Sequence, residues 1–174
     1  MNADQEKSLV YKAQAGDSQA LGELWDALTP KLFGYLVNVT HNKTVAEDLL
    51  QTTWLRAIQA LPKFKQRSIS ISSWFFAIAH NECRQYWRKS NREVALDFYS
   101  HDQPDQSSDH YTQSEYRILV EQILTSLSED DREIIRLRYI ADLSLNDIAK
   151  ILNINLIAVR VRLHRALARA RKLL

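Results

Sequence analysis

The chain is 174 residues long with a formal net charge of +2, and 45% hydrophobic and 25% charged residues are ordinary proportions for a globular protein. Three glycines and three prolines are too few for a turn-rich β-sandwich or a glycine-rich phosphate-binding fold, so the composition favours long helices. The single cysteine excludes a disulfide framework and a cysteine-based zinc cluster. The sequence has no signal-peptide core and no run approaching ~20 apolar residues, so we expect a soluble, cytoplasmic protein.

Charge is distributed unevenly along the chain. Residues 62–92 carry 7 Lys and Arg against 1 acid, and residues 151–174 carry 6 against 0. Residues 93–131 between them carry 1 base against 10 acids. Two basic blocks separated by an acidic one suggest two contacts with an anionic polymer, although solvated helix faces would give the same excess.

The first ninety residues have apolar periodicity typical of helices, expected at 3–15, 17–40, 44–61 and 72–89. Asp17 stands at an N-cap position, and Pro30 is expected to break or kink the second helix. Thr44 with Glu47 three residues later has the spacing of a capping box, and Pro62 ends that third helix. A short basic loop separates the third and fourth helices.

Residues 92–114 lose this periodicity and are rich in Ser, Asp, Gln and His, which predicts a flexible acidic linker. Four more helices are expected after it, at 115–126, 129–141, 144–152 and 155–173. Ser128, Ser144 and Asn155 occupy N-cap positions. The predicted fold class is therefore all-α, with two small helical domains, 1–91 and 115–174, joined by that linker.

The last two helices have the plan of a helix-turn-helix: a short helix, a three-residue turn at 153–155 and a basic helix. Asn153 suits the left-handed conformation that ends the short helix. Opposite the apolar side of the basic helix lie arginines that fit phosphates and guanine edges, with Val161 available for a thymine methyl. Complementation of the helix macrodipole explains cations near the C-terminus but not in the first two turns. The candidate DNA-binding residues are Arg160, Val161, Arg162, His164, Arg165 and Arg169.

The helix at 44–61 has an apolar stripe expected to be buried, comprising Ala46, Leu50, Trp54, Ala57, Ile58 and Leu61. The other side presents Asp48, Gln51, Thr52 and Gln59, with Leu55 as an apolar residue among them. One exposed leucine is common in globular proteins. Leu55 is nevertheless a candidate centre for a protein-binding face.

The helix at 72–89 has two stripes. Its core side is expected to comprise Phe75, Ile78, Ala79, Cys83, Tyr86 and Trp87. Another side aligns Trp74, Ala77, Asn81, Arg84 and Arg88, a combination of ring, amide and guanidinium groups that suits a strand with unstacked bases. The preceding loop adds cations for phosphate contact, namely Lys63, Lys65 and Arg67. The alternative for Trp74 taken alone is ordinary packing in the core.

Three segments resemble parts of bacterial RNA polymerase sigma factors, in the family's order and over nearly the whole chain. Residues 46–56, AEDLLQTTWLR, resemble the core-polymerase-binding region 2.2. Residues 73–81, SWFFAIAHN, look like the segment that melts and reads the −10 promoter element. Residues 144–165 are similar to region 4.2, which reads the −35 element. Two domains without a third between them resemble the extracytoplasmic-function (ECF) group.

The resemblance implies a role for the first-domain candidates. Asp48 and Gln51, with Leu55 beside them, would contact the clamp helices of the largest polymerase subunit. Residues 63–73 would form the loop that captures a flipped −10 base, with Asn81 as an adjoining contact. Thr52 departs from the family, which commonly has an acid at that position.

In the second domain, the resemblance would place Arg160, Val161, His164 and Arg165 in the −35 major groove. The departures from the family pattern are Asp142 and Asn153 for glycine, Ile157-Ala158 for Gly-Thr, and Val161 for Ser. The departures in the recognition helix bear on which promoter sequence is read, and not on the expected role of that helix in reading the −35 element. The implied partners are core RNA polymerase and promoter DNA, with an anti-sigma factor as a further candidate.

Two other classes of protein remain as alternatives. A stand-alone helix-turn-helix regulator with a helical sensor or dimerisation domain would bind duplex DNA alone, and would not need the stripe at 74–88. An enzyme is disfavoured because the five histidines show no paired metal spacing and the chain has no nucleophile or Gly-rich phosphate motif. We expect no metal, no cofactor, no small-molecule substrate and no membrane insertion.

Overall fold

The computed structural model describes residues 3–65, 69–96 and 127–172, and every regular element in these ranges is helical. The chain divides into two compact units, Met1–Arg88 and Lys89–Leu174. The first four helices are α1 (Ala3–Gln14), α2 (Ser18–Thr40), α3 (Lys43–Ala60) and α4 (Ile71–Leu96). The described residues from 127 onward contain three more, α5 (Glu129–Ile135), α6 (Leu145–Leu152) and α7 (Leu156–Arg171).

The core of the first unit forms where α2, α3 and α4 bury their apolar stripes. Leu24, Leu32 and Leu36 of α2 are fully buried, as is Phe76 of α4. Trp54 of α3 lies centrally, with its ring centroid 4.5 Å from that of Phe75 and 4.8 Å from that of Trp25. Each leucine buried in this way contributes roughly 1.5–3 kcal/mol, so these contacts hold the functional faces of α3 and α4 on a fixed support.

The helix starts follow local capping chemistry. The Asp17 carboxylate accepts hydrogen bonds from the amides of Gln19 and Ala20, which confirms the expected cap of α2. Pro30 lies inside α2, which runs on without the expected break. Helix α2 ends at Thr40 and is capped by His41, which is in the left-handed conformation with φ 52°.

The expected capping box at the start of α3 is wrong. Asn42 caps the helix instead, because its side-chain oxygen accepts from the Val45 amide at 3.1 Å. The left-handed residue 41 turns the chain within two residues, so α3 begins at Lys43, before Thr44 is reached.

The end of α3 agrees with expectation within one residue, and the end of α4 does not. Helix α3 ends at Ala60 and passes into a 3₁₀ turn, Leu61–Lys63, in which Pro62 is tolerated near the start. Helix α4 begins at Ile71 and continues to Leu96, beyond the expected end near residue 89. Residues 92–96 of the expected linker are therefore helical. The rest of that linker and the expected helix at 115–126 lie outside the described residues.

In the described part of the second unit after residue 126, Ser128 caps α5. The expected helix over 129–141 is divided, since residues Arg136–Ile140 form a π turn. Ser144 and Asn155 cap α6 and α7 through the amides of Asp147 and Ala158, as predicted. Asn153 has φ 52° and ψ 46°, the left-handed conformation expected of it. Among the described residues of this unit, the fully buried side chains include the apolar Ile134, Leu137, Ile148, Val159 and Ala166, together with the charged Arg136. No helix in the described ranges is long and apolar enough to cross a membrane.

Candidate polymerase and nucleic-acid interfaces

The outward face of α3 is where the sequence places it. Asp48 and Gln51 are exposed, and Leu55 has 59% of its surface exposed. Thr52 is half-buried, and its hydroxyl donates to the Asp48 carbonyl at 2.9 Å within the same helix. The prediction that Ile58 is buried is wrong, because 47% of it is exposed. Leu55 and Ile58, one turn apart, therefore form an apolar pair on this face.

The reason for the error at Ile58 lies in the packing of α3. The buried positions follow two adjacent rows, comprising Ala46, Leu49, Leu50, Thr53, Trp54 and Ala57. Periodicity alone included Ile58 in the stripe, but Leu49 and Thr53 are buried instead, so the buried side of α3 is rotated away from Ile58. The burial of Thr53 was not predicted because its side chain is polar; burial is tolerated because its hydroxyl donates to the Leu49 carbonyl at 2.7 Å.

The stripe on α4 lines a groove of about 600 Å³ beside the last turns of α3. Four of its five predicted members line this groove, namely Trp74, Asn81, Arg84 and Arg88. Ala77 does not line it and is half-buried. Further groove residues that the sequence did not indicate are Arg56, Ala60, Ile78, Glu82 and Gln85.

An ion pair forms part of the groove wall. The Glu82 carboxylate is buried, with 5% of the residue exposed, and lies 2.9 Å from the Arg56 guanidinium. The pair neutralises one of the three arginines around the groove, and it leaves Arg84 and Arg88 as net positive charge. The groove therefore offers two cations, an amide and an indole ring to a bound anion.

Trp74 belongs to both the core and the groove. Its ring centroid lies 4.7 Å from that of Phe64 and 5.5 Å from that of Phe75, and the residue is half-buried. The two interpretations of Trp74 are therefore compatible: packing fixes its orientation, and the remaining surface lines the groove.

The prediction of the core side of α4 is wrong at Trp87, of which 41% is exposed. It is partly correct at Ile78 and Tyr86, which are half-buried. Phe76 and Glu82 are buried instead.

Helix α1 holds both ends of the connection between α3 and α4. The Gln14 side-chain amide donates to the carbonyls of Leu61 at 2.9 Å and Phe64 at 2.7 Å. The Glu6 carboxylate accepts from the Ile71 amide at 2.9 Å, at the first turn of α4. These contacts across 47, 50 and 65 residues have no signal in the sequence.

Of the three cations predicted in this connection, Lys63 and Lys65 are exposed. Arg67 lies outside the described residues.

The exposed side of α7 contains four of the six residues predicted for DNA binding, namely Arg160, Val161, His164 and Arg165. The other two have partners within the unit. The Arg162 guanidinium lies 3.2 Å from the Asp130 carboxylate, and Arg169 pairs with Asp131. Both acids stand in the first turn of α5, so they tie the recognition helix to it. Among the described residues, no cluster of His, Cys, Asp or Glu is arranged to hold a metal ion.

Helix α6, the turn at Asn153 and α7 form a helix-turn-helix with an exposed basic face. The fold and these surfaces define an all-helical protein of two units, with a helix-turn-helix in the second unit.

Comparison with known proteins agrees with this class. The family model for Sigma-70 region 2 matches residues 24–93, and the model for Sigma-70, region 4 matches residues 117–170. RNA polymerase sigma factor YlaC of Bacillus subtilis is 29% identical over 155 residues, which are 84% of this chain and 87% of YlaC. The ECF RNA polymerase sigma factor SigW of the same organism is 28% identical, and 95% of each chain is covered.

A solved structure extends the likeness to three dimensions. The sigma factor RpoE of Bartonella quintana, crystallised with the anti-sigma factor NepR, matches with a TM-score of 0.72 and 25% identity, over 88% of this chain and 95% of RpoE. The chain belongs to the sigma-70 family of RNA polymerase sigma factors, in its ECF group. The region 2 match in the first unit also removes the alternative of a stand-alone regulator with an unrelated sensor domain.

Proposed function

We propose that this sigma factor divides its work among three surfaces: the outward face of α3 binds core RNA polymerase, the groove beside α4 holds the opened −10 strand, and α7 reads the −35 element. The observation that carries the proposal is the groove, which gathers Trp74, Asn81, Arg84 and Arg88 into one space of about 600 Å³. The protein acts in the cytoplasm as a promoter-specificity subunit and has no catalytic activity of its own.

The polymerase contact is supported by the composition of the α3 face. Leu55 and Ile58 supply an apolar centre, and the exposed Asp48 and Gln51 supply polar contacts around it. An apolar centre with a polar rim is the ordinary anatomy of a protein interface. Thr52 contributes at the edge of this face through its remaining exposed surface.

The −10 contact is supported by the chemistry of the groove. Bases that are unpaired expose their faces, and stacking on an aromatic ring contributes ~1–3 kcal/mol per base. Trp74 presents the ring, Asn81 presents an amide for a base edge, and the guanidiniums of Arg84 and Arg88 attract phosphates. Lys63 and Lys65, exposed where the chain enters the connection to α4, extend the positive charge, and Arg67 is proposed to do the same.

The −35 contact is assigned to Arg160, Val161, His164 and Arg165, which share the exposed side of α7. Arg162 and Arg169 were predicted to contact DNA as well. Their pairing with acids of α5 favours a different role, in which these two arginines hold α7 in place. Each can contact a DNA phosphate only by leaving its carboxylate partner.

An anti-sigma factor is a proposed further partner. The similar structure of RpoE is a complex with such a protein. The apolar pair on α3 would be accessible to an inhibitor whenever core polymerase does not cover it.

The test is reconstitution with purified core RNA polymerase. Pull-down should recover the chain in a one-to-one complex, and run-off transcription on genomic fragments should start at discrete sites only when the chain is present. A chain that binds duplex DNA tightly alone and leaves the transcripts of core polymerase unchanged would contradict the proposal.

A further inference from the structure

Two aliphatic residues lie exposed at the start of the recognition helix. Ile157 has 72% of its surface exposed and Val161 has 41%. The apolar side of the same helix is buried through Val159 and Ala166, so the core does not use Ile157 or Val161. Isoleucine and valine are also poorer helix formers than alanine, and they bring no advantage to the helix itself.

The helical phase places this pair in the middle of the basic face. At about 100° per residue, Arg160 and Arg165 lie ~140° apart, and Ile157 and Val161 fall in the sector between them. Four residues along a helix correspond to ~6 Å, and successive base pairs are ~3.4 Å apart. The two side chains therefore reach base pairs that are one or two steps apart.

The flanking charge identifies the occupant of this apolar patch. Arginines on both sides attract the phosphates that border a major groove, and residues at the N-terminal end of a recognition helix are those that reach base edges. The apolar group displayed in the major groove is the C5 methyl of thymine. A protein partner would have to bury Arg160 and Arg165 together with the aliphatic pair, whereas DNA accommodates all four.

We propose that Ile157 and Val161 read the methyl groups of thymines one or two base pairs apart in the −35 element. The inference rests on the proposed role of α7 and specifies what that helix recognises. Ile157 is thus a specificity-determining residue, additional to the arginines, and a −35 element of this sigma factor contains thymines at the positions facing the pair, on either strand.

Replacement of thymine by deoxyuridine tests the proposal, because deoxyuridine lacks the methyl group and keeps the hydrogen-bonding edge. A −35 library is first transcribed with the reconstituted holoenzyme to select an active element. Each thymine of that element is then replaced in turn, and promoter occupancy is measured. Loss of one buried methyl contact should lower the affinity by about fourfold at one or two positions, which is read as an equal fall in occupancy at holoenzyme concentrations well below saturation.

The variants complete a double-mutant cycle. Ile157→Ala and Val161→Ala should each bind more weakly and become insensitive to deoxyuridine at one position, since the contact is lost from either side. Tyr139→Ala is the matched control: Tyr139 is 59% exposed in the same unit but stands outside α7, so this variant should keep the full sensitivity of the wild type. Melting curves should show that both aliphatic variants fold normally.

Three results would overturn the inference: wild-type occupancy that is unaffected by deoxyuridine at every position, an Ile157→Ala variant as sensitive as the wild type at all of them, or a selected element without thymines. Each leaves the proposed function intact, because promoter-specific transcription by the wild type would already have been recorded. Failure of the wild type to transcribe any library member specifically would instead remove the proposed function itself.

Discussion

The polymerase contact makes the sharpest quantitative prediction, through Leu55→Asp. Leu55 is 59% exposed, so less than half of the ~1.5–3 kcal/mol available from burying a leucine is used in folding, and unfolding free energy should fall by at most about 1 kcal/mol. At an interface the rest is buried, and the new carboxylate would lose hydration there without a partner. The affinity for core polymerase should therefore fall by at least ~2 kcal/mol, or about thirtyfold.

The assay combines a binding titration of labelled protein against core polymerase with a thermal melt of the protein alone. Ala27→Asp adds the same charge at an exposed position of α2 and should leave binding unchanged. Leu50→Asp puts the charge into the core and should unfold the first unit. If Leu55→Asp unfolds as Leu50→Asp does, or binds core polymerase as tightly as the wild type, the interpretation of the α3 face is wrong.

Three further predictions concern the recognition helix and α1. Arg160→Ala should change which −35 variants are transcribed from a library, at ~1–3 kcal/mol for one base position, whereas Lys172→Ala should weaken binding to all sequences alike and make its salt dependence slightly shallower; an unchanged sequence preference for Arg160→Ala would contradict its role. Asp130→Asn should release Arg162 to contact phosphate and strengthen duplex binding at low salt, with little change in melting temperature, because an exposed ion pair contributes ~0–1 kcal/mol and the Arg169–Asp131 pair still holds α7 in place; unchanged or weaker binding would contradict the idea that Asp130 and phosphate compete for Arg162. Gln14→Ala removes two partly buried hydrogen bonds and should lower the unfolding free energy by about 1–3 kcal/mol in denaturant titrations, and an unchanged midpoint would mean that water replaces both.

The sequence predicted those features that depend on local chemistry. The caps at Asp17, Ser128, Ser144 and Asn155 were identified because a side chain two or three residues from an amide needs no tertiary partner. The left-handed Asn153 was identified for the same reason.

The errors fall where two local signals compete or where packing decides. Asn42 and Thr44 both suit an N-cap, and the turn at residue 41 decides between them. Ile58 and Trp87 belong to apolar stripes by periodicity, and their exposure depends on which side of each helix packs against its neighbours.

The sequence predicted the groove residues that share one helix, but not the ion pairs between helices. Periodicity aligned Trp74, Asn81, Arg84 and Arg88, because they share one helix. It could not show the Arg56–Glu82 pair, which joins residues of two helices, or the pairing of Arg162 with the first turn of α5. Ion pairs between residues far apart in the chain have no periodic sequence pattern, since each partner taken alone resembles an ordinary surface charge.

Permanganate footprinting of a promoter bound by the reconstituted holoenzyme tests the role of the groove most directly, because it detects unpaired thymines at −10 while protection at −35 is measured in parallel. Trp74→Ala and Asn81→Ala should reduce −10 reactivity severalfold while −35 protection is retained. Trp87→Ala, an exposed tryptophan of the same helix outside the groove, should behave as the wild type. Equal loss of −10 reactivity and −35 protection in the Trp74 and Asn81 variants, or full −10 opening by both, would contradict the assignment of the groove to the opened strand.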